Sequence, residues 1–320
     1  MTMSDERTLD LLEAKIAELR ELDKLDGMDL TAEIERLEGK LQSLRIDHYA
    51  ELSDWDRVKL ARHAKRPTAL DFIQRMLPDF FELHGDRLAG DDPALVAGLA
   101  RLEGRSVAVL AHQKGRTTDE NKERLFGMAR PQGYRKARRV MRLAERFGFP
   151  LVSLIDTPGA YPGLESESLN IGGAIAECLE TMMALSVPTV AAVIGEGGSG
   201  GAIAIAAADR VLMLENAIYT VISPEGAAAV LWKDRDRVRE AAQALGLTAP
   251  RLAELGLIDE VIPEPLGGAH KEPDTTADAL RNALSRHLEE LSKQDPEARR
   301  ETRRQRYRDI GRFHTLAEGS

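Results

Sequence analysis

Residues 195 to 202 read GEGGSGGA, with five glycines in the first seven positions, held between the apolar runs VPTVAAVI and AIAIAAA. Glycine between a buried strand and a buried helix weakens both unless something must approach the main chain closely. Three chemistries fit the octapeptide. Gly195-x-Gly197-x-x-Gly200 matches the dinucleotide fingerprint, and Glu215 lies where a ribose-binding acid is expected, about 20 residues on. Such fingerprints normally open a domain, however, and at least two strand-helix units precede this one. Gly197-Gly198-Ser199-Gly200-Gly201 also matches a nucleophile elbow. The histidines that follow Ser199, at 270, 287 and 314, are tied to it by no motif, and Ser199 serves equally as a small helix-capping residue. The third chemistry needs no side chain. Glycines after a strand expose consecutive N–H groups, the following helix adds its positive end, and the pair stabilises an oxygen on which charge develops.

A second stretch of the same kind strengthens the third chemistry. The run PLVSLID ends in TPGAYPG, so glycine-bearing turns near Gly159 and near Gly200 leave successive strands. If those strands are neighbours, two sets of amides face one crevice. Other polar residues have simpler roles open to them. Lys114 and Arg116 suit a phosphate or carboxylate, or solvent. Glu196 and Glu225 suit acid catalysis, or the surface and a helix N-terminus. Cys178 shares an apolar helix side with Ile175, Leu179 and Met182, which indicates core packing.

The elements that must position these residues follow from periodicity. Leu12, Ile16 and Leu19, then Ile34, Leu37, Leu41 and Leu44, recur at helical spacing around a break at Gly27, which predicts a helical hairpin. TALDFIQRML predicts an amphipathic helix continuing weakly through DFFEL. ALVAGLARL and SVAVLAHQ flank Glu103-Gly104 and predict a strand hairpin. Lys114 to Gln132 reads as a surface loop with little regular structure. A helix follows at GYRKARRVMRLAERFG, with Val140, Ala144 and Phe147 inward and Gly148 as its stop. PLVSLID, PTVAAVI, RVLML, IYTVI and IDEVI read as strands, and Asn170 and Ser223-Pro224 open helices. Strands separated by helices at this spacing imply crossovers and a parallel sheet. The chain therefore divides into a helical extension (1–66), an α/β core (67–272) and a charged helical tail (273–320). The tail holds six arginines between Arg299 and Arg308.

Bulk composition narrows the classes. A chain of 320 residues with 43% hydrophobic content buries a substantial core. The formal charge of -9 argues against nucleic-acid binding by the whole molecule, although the arginine tail alone could bind a polyanion. Interleaved Glu297, Glu301 and Asp309 favour a solvated helix or a partner contact instead. One cysteine excludes a disulfide framework or a cysteine-rich zinc site and suits a reducing, cytoplasmic compartment. No apolar run reaches the roughly 18 residues of a membrane span, and MTMSDERTLD lacks a signal-peptide core.

With these residues in view, the chain resembles the carboxyltransferase alpha subunit of bacterial acetyl-CoA carboxylase. The landmarks are HQKGR (112–116), PQGYRKA (131–137), AERF (144–147), IDTPGAYPG (155–163), VIGEGGSGGA (193–202), VISPEG (221–226), LWK (231–233) and IDEVIPEPLGGAH (258–270). The resemblance implies a crotonase-like α/β superhelix of repeated strand-strand-helix turns. It also implies an α2β2 enzyme that moves a carboxyl group from carboxybiotin, on a biotin carboxyl carrier protein charged by a biotin carboxylase, to acetyl-CoA. The product is malonyl-CoA for fatty-acid synthesis. It places no bound cofactor or metal on this chain and a zinc ribbon on the beta subunit. It assigns the Gly200 and Gly201 amides to the biotin ureido oxygen and the turn at Gly159 and Ala160 to the same pocket. Gly197, Gly198, Ser199, Tyr161, Lys114 and Arg116 become substrate-side residues. One segment departs from the family pattern: 164–173 reads LESESLNIGG, with Leu169, Asn170 and Ile171 at usually polar positions.

Overall fold

Two stretches of nearly uninterrupted apolar residues, LVSLIDT and TVAAVIGEGG, are buried along their whole length. That pattern requires cover on both faces of a sheet and is characteristic of parallel strands. The computed structural model describes residues 3–26, 30–50 and 52–311. Among them are eight strands: β1 (Phe81–Glu82), β2 (Leu95–Leu102), β3 (Arg105–His112), β4 (Leu151–Thr157), β5 (Thr189–Gly198), β6 (Arg210–Leu214), β7 (Ile218–Thr220) and β8 (Glu260–Ile262). The order across the sheet is β1-β2-β3-β4-β5-β6-β8, with β7 paired to β5. β1, β2 and β3 are antiparallel neighbours, and β3 through β8 run parallel.

The hairpin expected around Glu103-Gly104 is present, with Leu102 opposite Arg105. DFFEL departs from expectation: the helix Ala69–Met76 stops and Phe81–Glu82 joins the sheet edge. Pro78 lacks the N–H that a continuing helix needs. Residues 114–132 also hold more structure than expected, with a helix at Thr118–Glu123 capped by the Thr117 side chain. Pro131–Phe147 ends at Gly148 in the left-handed conformation, and Val140 and Ala144 are buried. Phe147 is instead 56% exposed and stacks on Phe149.

The end of β5 decides the site. Val190 to Val193 pair with β6, whereas Glu196 to Gly198 pair with β7. On its other edge the pairing with β4 jumps from Ile155↔Val193 to Thr157↔Gly197, so β5 carries two extra residues there. The glycines expected to form a loop are therefore strand residues through Gly198. The helix Ser199–Ala206 starts at once after them.

Helices at both chain ends lean on this body. Met3–Asp26 and Thr31–Ala50 pack through Leu9, Ile16 and Leu41, with Leu12, Ile34, Leu37 and Leu44 beside them. The break at Gly27 lies outside the described residues. Asp54–Ala61 packs Val58 and Ala61 against Ile218, Ala242 and Leu247. The arginine tail forms a helix, Pro296–Asp309, that is solvated along most of its length but buries Arg299 and Arg303 on one side. Arg303 donates to Thr189 Oγ1 (2.9 Å) and to the Leu185 carbonyl, and faces Asp209. Arg306 pairs with Asp259 at 2.5 Å. Arg299, Arg303 and Arg306 thus satisfy carbonyls and acids of the body near the starts of β5, β6 and β8, whereas Arg300, Arg304 and Arg308 pair with Glu297 and Glu301 of their own helix. No helix among the described residues is long and apolar enough to cross a membrane.

Candidate active site at the glycine turns

The parallel strands β3, β4 and β5 deliver His112, Asp156-Thr157 and Glu196-Gly198 to the same edge of the sheet. In parallel α/β sheets the carboxyl ends of the strands are where ligands bind. The two glycine turns leave neighbouring strands and touch. A Cβ on Gly201 would stand 2.5 Å from the Ala160 nitrogen and the Gly159 carbonyl carbon, and one on Gly198 would overlap the Pro158 carbonyl. Only glycine allows this backbone-to-backbone approach.

The amides differ in availability. Ser199, Gly200 and Gly201 form the first turn of the helix, where no helical carbonyl reaches their N–H groups, and no side chain caps that end. Gly159 N–H is occupied, donating to Thr157 Oγ1 at 3.1 Å, and Tyr161 N–H donates to Ala129 O. Ala160 N–H has no acceptor among the described residues. Ser199 is exposed, Gly200 and Ala160 are half-buried and Gly201 is buried, so the donors run from the surface inward. Ser199 has a φ of +50°. That left-handed geometry is uncommon for a non-glycine residue and fits a sharp strand-to-helix elbow. Among the described residues no histidine completes a triad: His270 stacks on His63 at 3.8 Å, and His287 Nε2 contacts Glu260 at 2.6 Å, while His314 lies outside them. Glu215 accepts from Glu264 N–H on the β8 side instead of facing a nucleotide. Tyr161 lies under the Arg130 guanidinium, 5.6 Å from it, and packs against Gly163.

On the other side of the Pro158 turn is a cleft of about 870 Å³, lined by Arg62, Lys114, Arg116, Phe126, Asp156 and Glu196 among others. None of Gly159, Ala160, Gly200 and Gly201 lines it. The cations expected to be free are engaged. Lys114 Nζ lies 2.7 Å from both Asp156 Oδ1 and Glu196 Oε2, and Arg116 pairs with Asp71. Glu196 is a buried strand acid, not a surface residue: it accepts from Arg62 Nε at 2.6 Å, and Arg62 continues to Glu225 at 2.6 Å. Burial alone would raise the Glu196 carboxyl, but Lys114 and Arg62 outweigh it and hold it below the usual range. Desolvation likewise acts against the Lys114 charge, and Asp156 with Glu196 more than restores it.

Sequence reasoning missed Asp156, Arg62 and His112. A signal for Asp156 and Glu196 was available: each is an acid inside a fully apolar strand, and a buried charge must be paired. His112 carries no such signal. It ends β3 and is fully buried beside the Gly201 backbone. Burial pushes its imidazole down to about 3; a hydrogen bond with the Gly201 backbone works against that shift and the Lys114 charge works with it. A folded-state value below the unfolded 6.5 means the unfolded chain takes up the proton first. Stability is then lost as pH falls from about 6.5 towards 3, by up to about 1.4 kcal/mol per pH unit. Urea unfolding of the isolated chain at pH 6.5 and 5, above most carboxylate titration, should show this slope, and His112→Phe should flatten it.

Cys178 is buried in the core with its Sγ 3.7 Å from the Tyr134 carbonyl, and burial raises its thiol to about 12. No group of three or more potential metal ligands occurs among the described residues.

Comparison with known proteins gives the family and the fold. Residues 2–311 match the family described as acetyl co-enzyme A carboxylase carboxyltransferase-like. The chain is 52% identical over 313 residues to the acetyl-coenzyme A carboxylase carboxyl transferase subunit alpha of Thermus thermophilus, covering 98% of this chain and 99% of that one. The same identity and coverage hold for the subunit of that name in Deinococcus radiodurans. Among solved structures, transcarboxylase 12S with hydrolyzed methylmalonyl-coenzyme A bound superimposes with a TM-score of 0.58 at 23% identity, over 81% of this chain and 45% of that one. This chain thus spans less than half of the transcarboxylase chain. A Pseudomonas malonate decarboxylase hetero-tetramer in complex with coenzyme A gives 0.58 at 18% identity, over 74% and 95%. The likeness establishes a crotonase-like fold.

Proposed function

Because the chain belongs to the acetyl-CoA carboxylase carboxyltransferase alpha-subunit family, we propose that its glycine turns are the biotin-side half of a carboxyltransferase site. A beta subunit completes that site in an α2β2 enzyme. The observation that carries this reading is the contact between Gly201 and the Gly159-Ala160 turn, beside first-turn amides with no helical acceptor. The Gly200 and Gly201 N–H groups donate to the ureido oxygen of carboxybiotin as charge grows there, when the N–C bond to the carboxyl group breaks. Donors fixed before the reaction need little reorganisation, and each contributes about 2.7–4 kcal/mol to lowering the barrier. The biotin ring nitrogen freed in that step takes the acetyl methyl proton, and the carbanion so formed bonds to the carboxyl carbon, giving malonyl-CoA. The thioester enolate on this path is a second oxyanion, and the beta subunit holds the CoA portion. Ala160 N–H lies next to Gly201 and extends the donor set. Gly197, Gly198, Ser199 and Tyr161 shape the pocket.

In this reading residues 67–272 are the transferase body, flanked by the extensions 1–66 and 273–320, whose described helices brace it. The zinc ribbon belongs to the beta subunit. The biotin carboxyl carrier protein and biotin carboxylase act with the complex in the cytoplasm. Lys114 and Arg116 line the cleft already paired, Lys114 with Asp156 and Glu196 and Arg116 with Asp71.

The decisive assay mixes the chain with its cognate beta subunit and follows malonyl-CoA formed from a carboxylated biotin carrier. Activity is expected only in the mixture. Tight NADH binding by the isolated chain, or an esterase activity lost in Ser199→Ala, would overturn the reading. Ser199→Gly relieves the positive φ while leaving the amides in place, and its kcat is expected to stay within about tenfold of wild type, or ~1.4 kcal/mol. A larger loss would point to a role for the hydroxyl.

A further inference from the structure

The two turns must keep their register although the strands beneath them do not: the β4–β5 pairing is interrupted between Ile155 and Thr157, directly below the site. Regular ladder hydrogen bonds are missing where alignment matters most. Asp156 and Glu196 are the residues at the interruption. Asp156 stands two residues before Pro158, and Glu196 stands two before Gly198. Glu196 N–H donates to Asp156 Oδ1 at 2.9 Å, a side chain taking the place of the absent main-chain acceptor. That bond joins the strands but leaves two buried carboxylates facing each other.

Lys114 lies between them. Its Nζ contacts Asp156 Oδ1 and Glu196 Oε2, both at 2.7 Å, and its side chain is 18% exposed. Its backbone follows β3, the strand beside β4, so the ammonium links three strand ends. The packing above leaves little alternative. Gly127 presses on the Asp156 carbonyl and the Lys114 stem, where a Cβ would meet them at 2.7 and 3.2 Å, and Gly195 leaves no room for a Cβ beside the Asp156 carboxylate. Leu125, Phe126 and Gly127 hold positive φ in succession to reach over this point.

We propose that Lys114 is a positioning residue: its ammonium clamps the interrupted ends of β4 and β5 and thereby holds the Gly159-Ala160 and Gly200-Gly201 turns against each other. The catalytic consequence rests on the amide reading above, whereas the clamp itself does not. Removing the charge leaves Asp156 without this cation and Glu196 with Arg62 alone, so the attraction that draws the two strand ends together is lost and the turns separate. A cation–carboxylate contact at this burial is charge-assisted and short, so loss of one partner is felt by both strands.

Hydrogen–deuterium exchange on the full chain, together with steady-state kinetics of the assembled αβ enzyme, tests both parts. In Lys114→Met, peptides spanning 157–163 and 196–203 are expected to exchange at least tenfold faster than in wild type. kcat should fall by 10-fold or more at an unchanged KM for acetyl-CoA. Glu196→Gln keeps shape and acceptor but removes one charge, so it should loosen the same peptides and serves if Lys114→Met fails to fold. Lys114→Arg retains the charge and should recover part of the protection. Wild-type exchange at both turns in Lys114→Met or Glu196→Gln would overturn the clamp, whatever the kinetics. Faster exchange with unchanged kcat would confirm the clamp and overturn the amide reading instead.

Discussion

Gly201→Ala is expected to lower kcat of the αβ complex by about 10²–10³, the effect of losing one preorganised oxyanion donor. The substitution removes no functional group: the amide stays, and alanine is a better helix former than glycine. What changes is space. The new methyl would lie 2.5 Å from the Ala160 nitrogen and the Gly159 carbonyl carbon, and main-chain atoms cannot swing aside as a side-chain end can. The helix start and the second turn must move apart, and a displacement of about 1 Å at such a site costs on the order of 10² in rate. Gly200→Ala provides the comparison. Its methyl would meet only Ile175 Cδ1, at 3.7 Å, so a smaller loss is expected although the two positions are adjacent. Wild-type kcat in a correctly folded Gly201→Ala complex would mean that the contact between the turns plays no part in catalysis.

Arg303→Met should cost about 3–5 kcal/mol of stability, the usual result of leaving one member of a buried ion pair uncompensated. Arg303 and Asp209 have side chains 1% and 3% exposed. Burial pushes the Asp209 carboxyl up and the Arg303 guanidinium down, and the facing charges oppose both shifts. Methionine fills much of the volume but leaves Asp209 with only Arg299, at 3.8 Å, as a nearby cation. It also leaves the Leu185 carbonyl without this donor. Denaturant unfolding of the isolated chain at neutral pH measures the loss. The deficit relative to wild type should shrink as acid protonates Asp209, because the uncompensated charge then disappears. A change below about 0.5 kcal/mol, the range of ordinary surface substitutions, would show that the C-terminal helix is dispensable to the body.

Much of the chain's organisation follows from local physics and is legible along it. Gly148 and Asn170 mark a helix stop and a helix start because their backbone and side-chain properties act within a few residues. The apolar runs of β4 and β5 declare parallel strands covered on both faces. Close approach at the glycine stretch is likewise implied by residue type, since nothing else justifies glycine between apolar elements. The ordered motifs carry the family with them.

Tertiary structure decided which backbone each glycine meets and which amides remain available. That β5 stays a strand through Gly198 depends on β7, which arrives from over twenty residues downstream to pair with it. Gly159 N–H is withdrawn by its own neighbour Thr157, while Gly200 and Gly201 keep theirs. Lys114 and the tail arginines look like free cations in the sequence. Lys114 and Arg303 are engaged because acids 42 to 94 residues distant, Asp156 in β4 and Asp209 just before β6, fold onto them. Charge pairing over such separations has no periodicity to betray it. It arises only when strand order and register place the partners within a few ångströms, and those are properties of the assembled sheet.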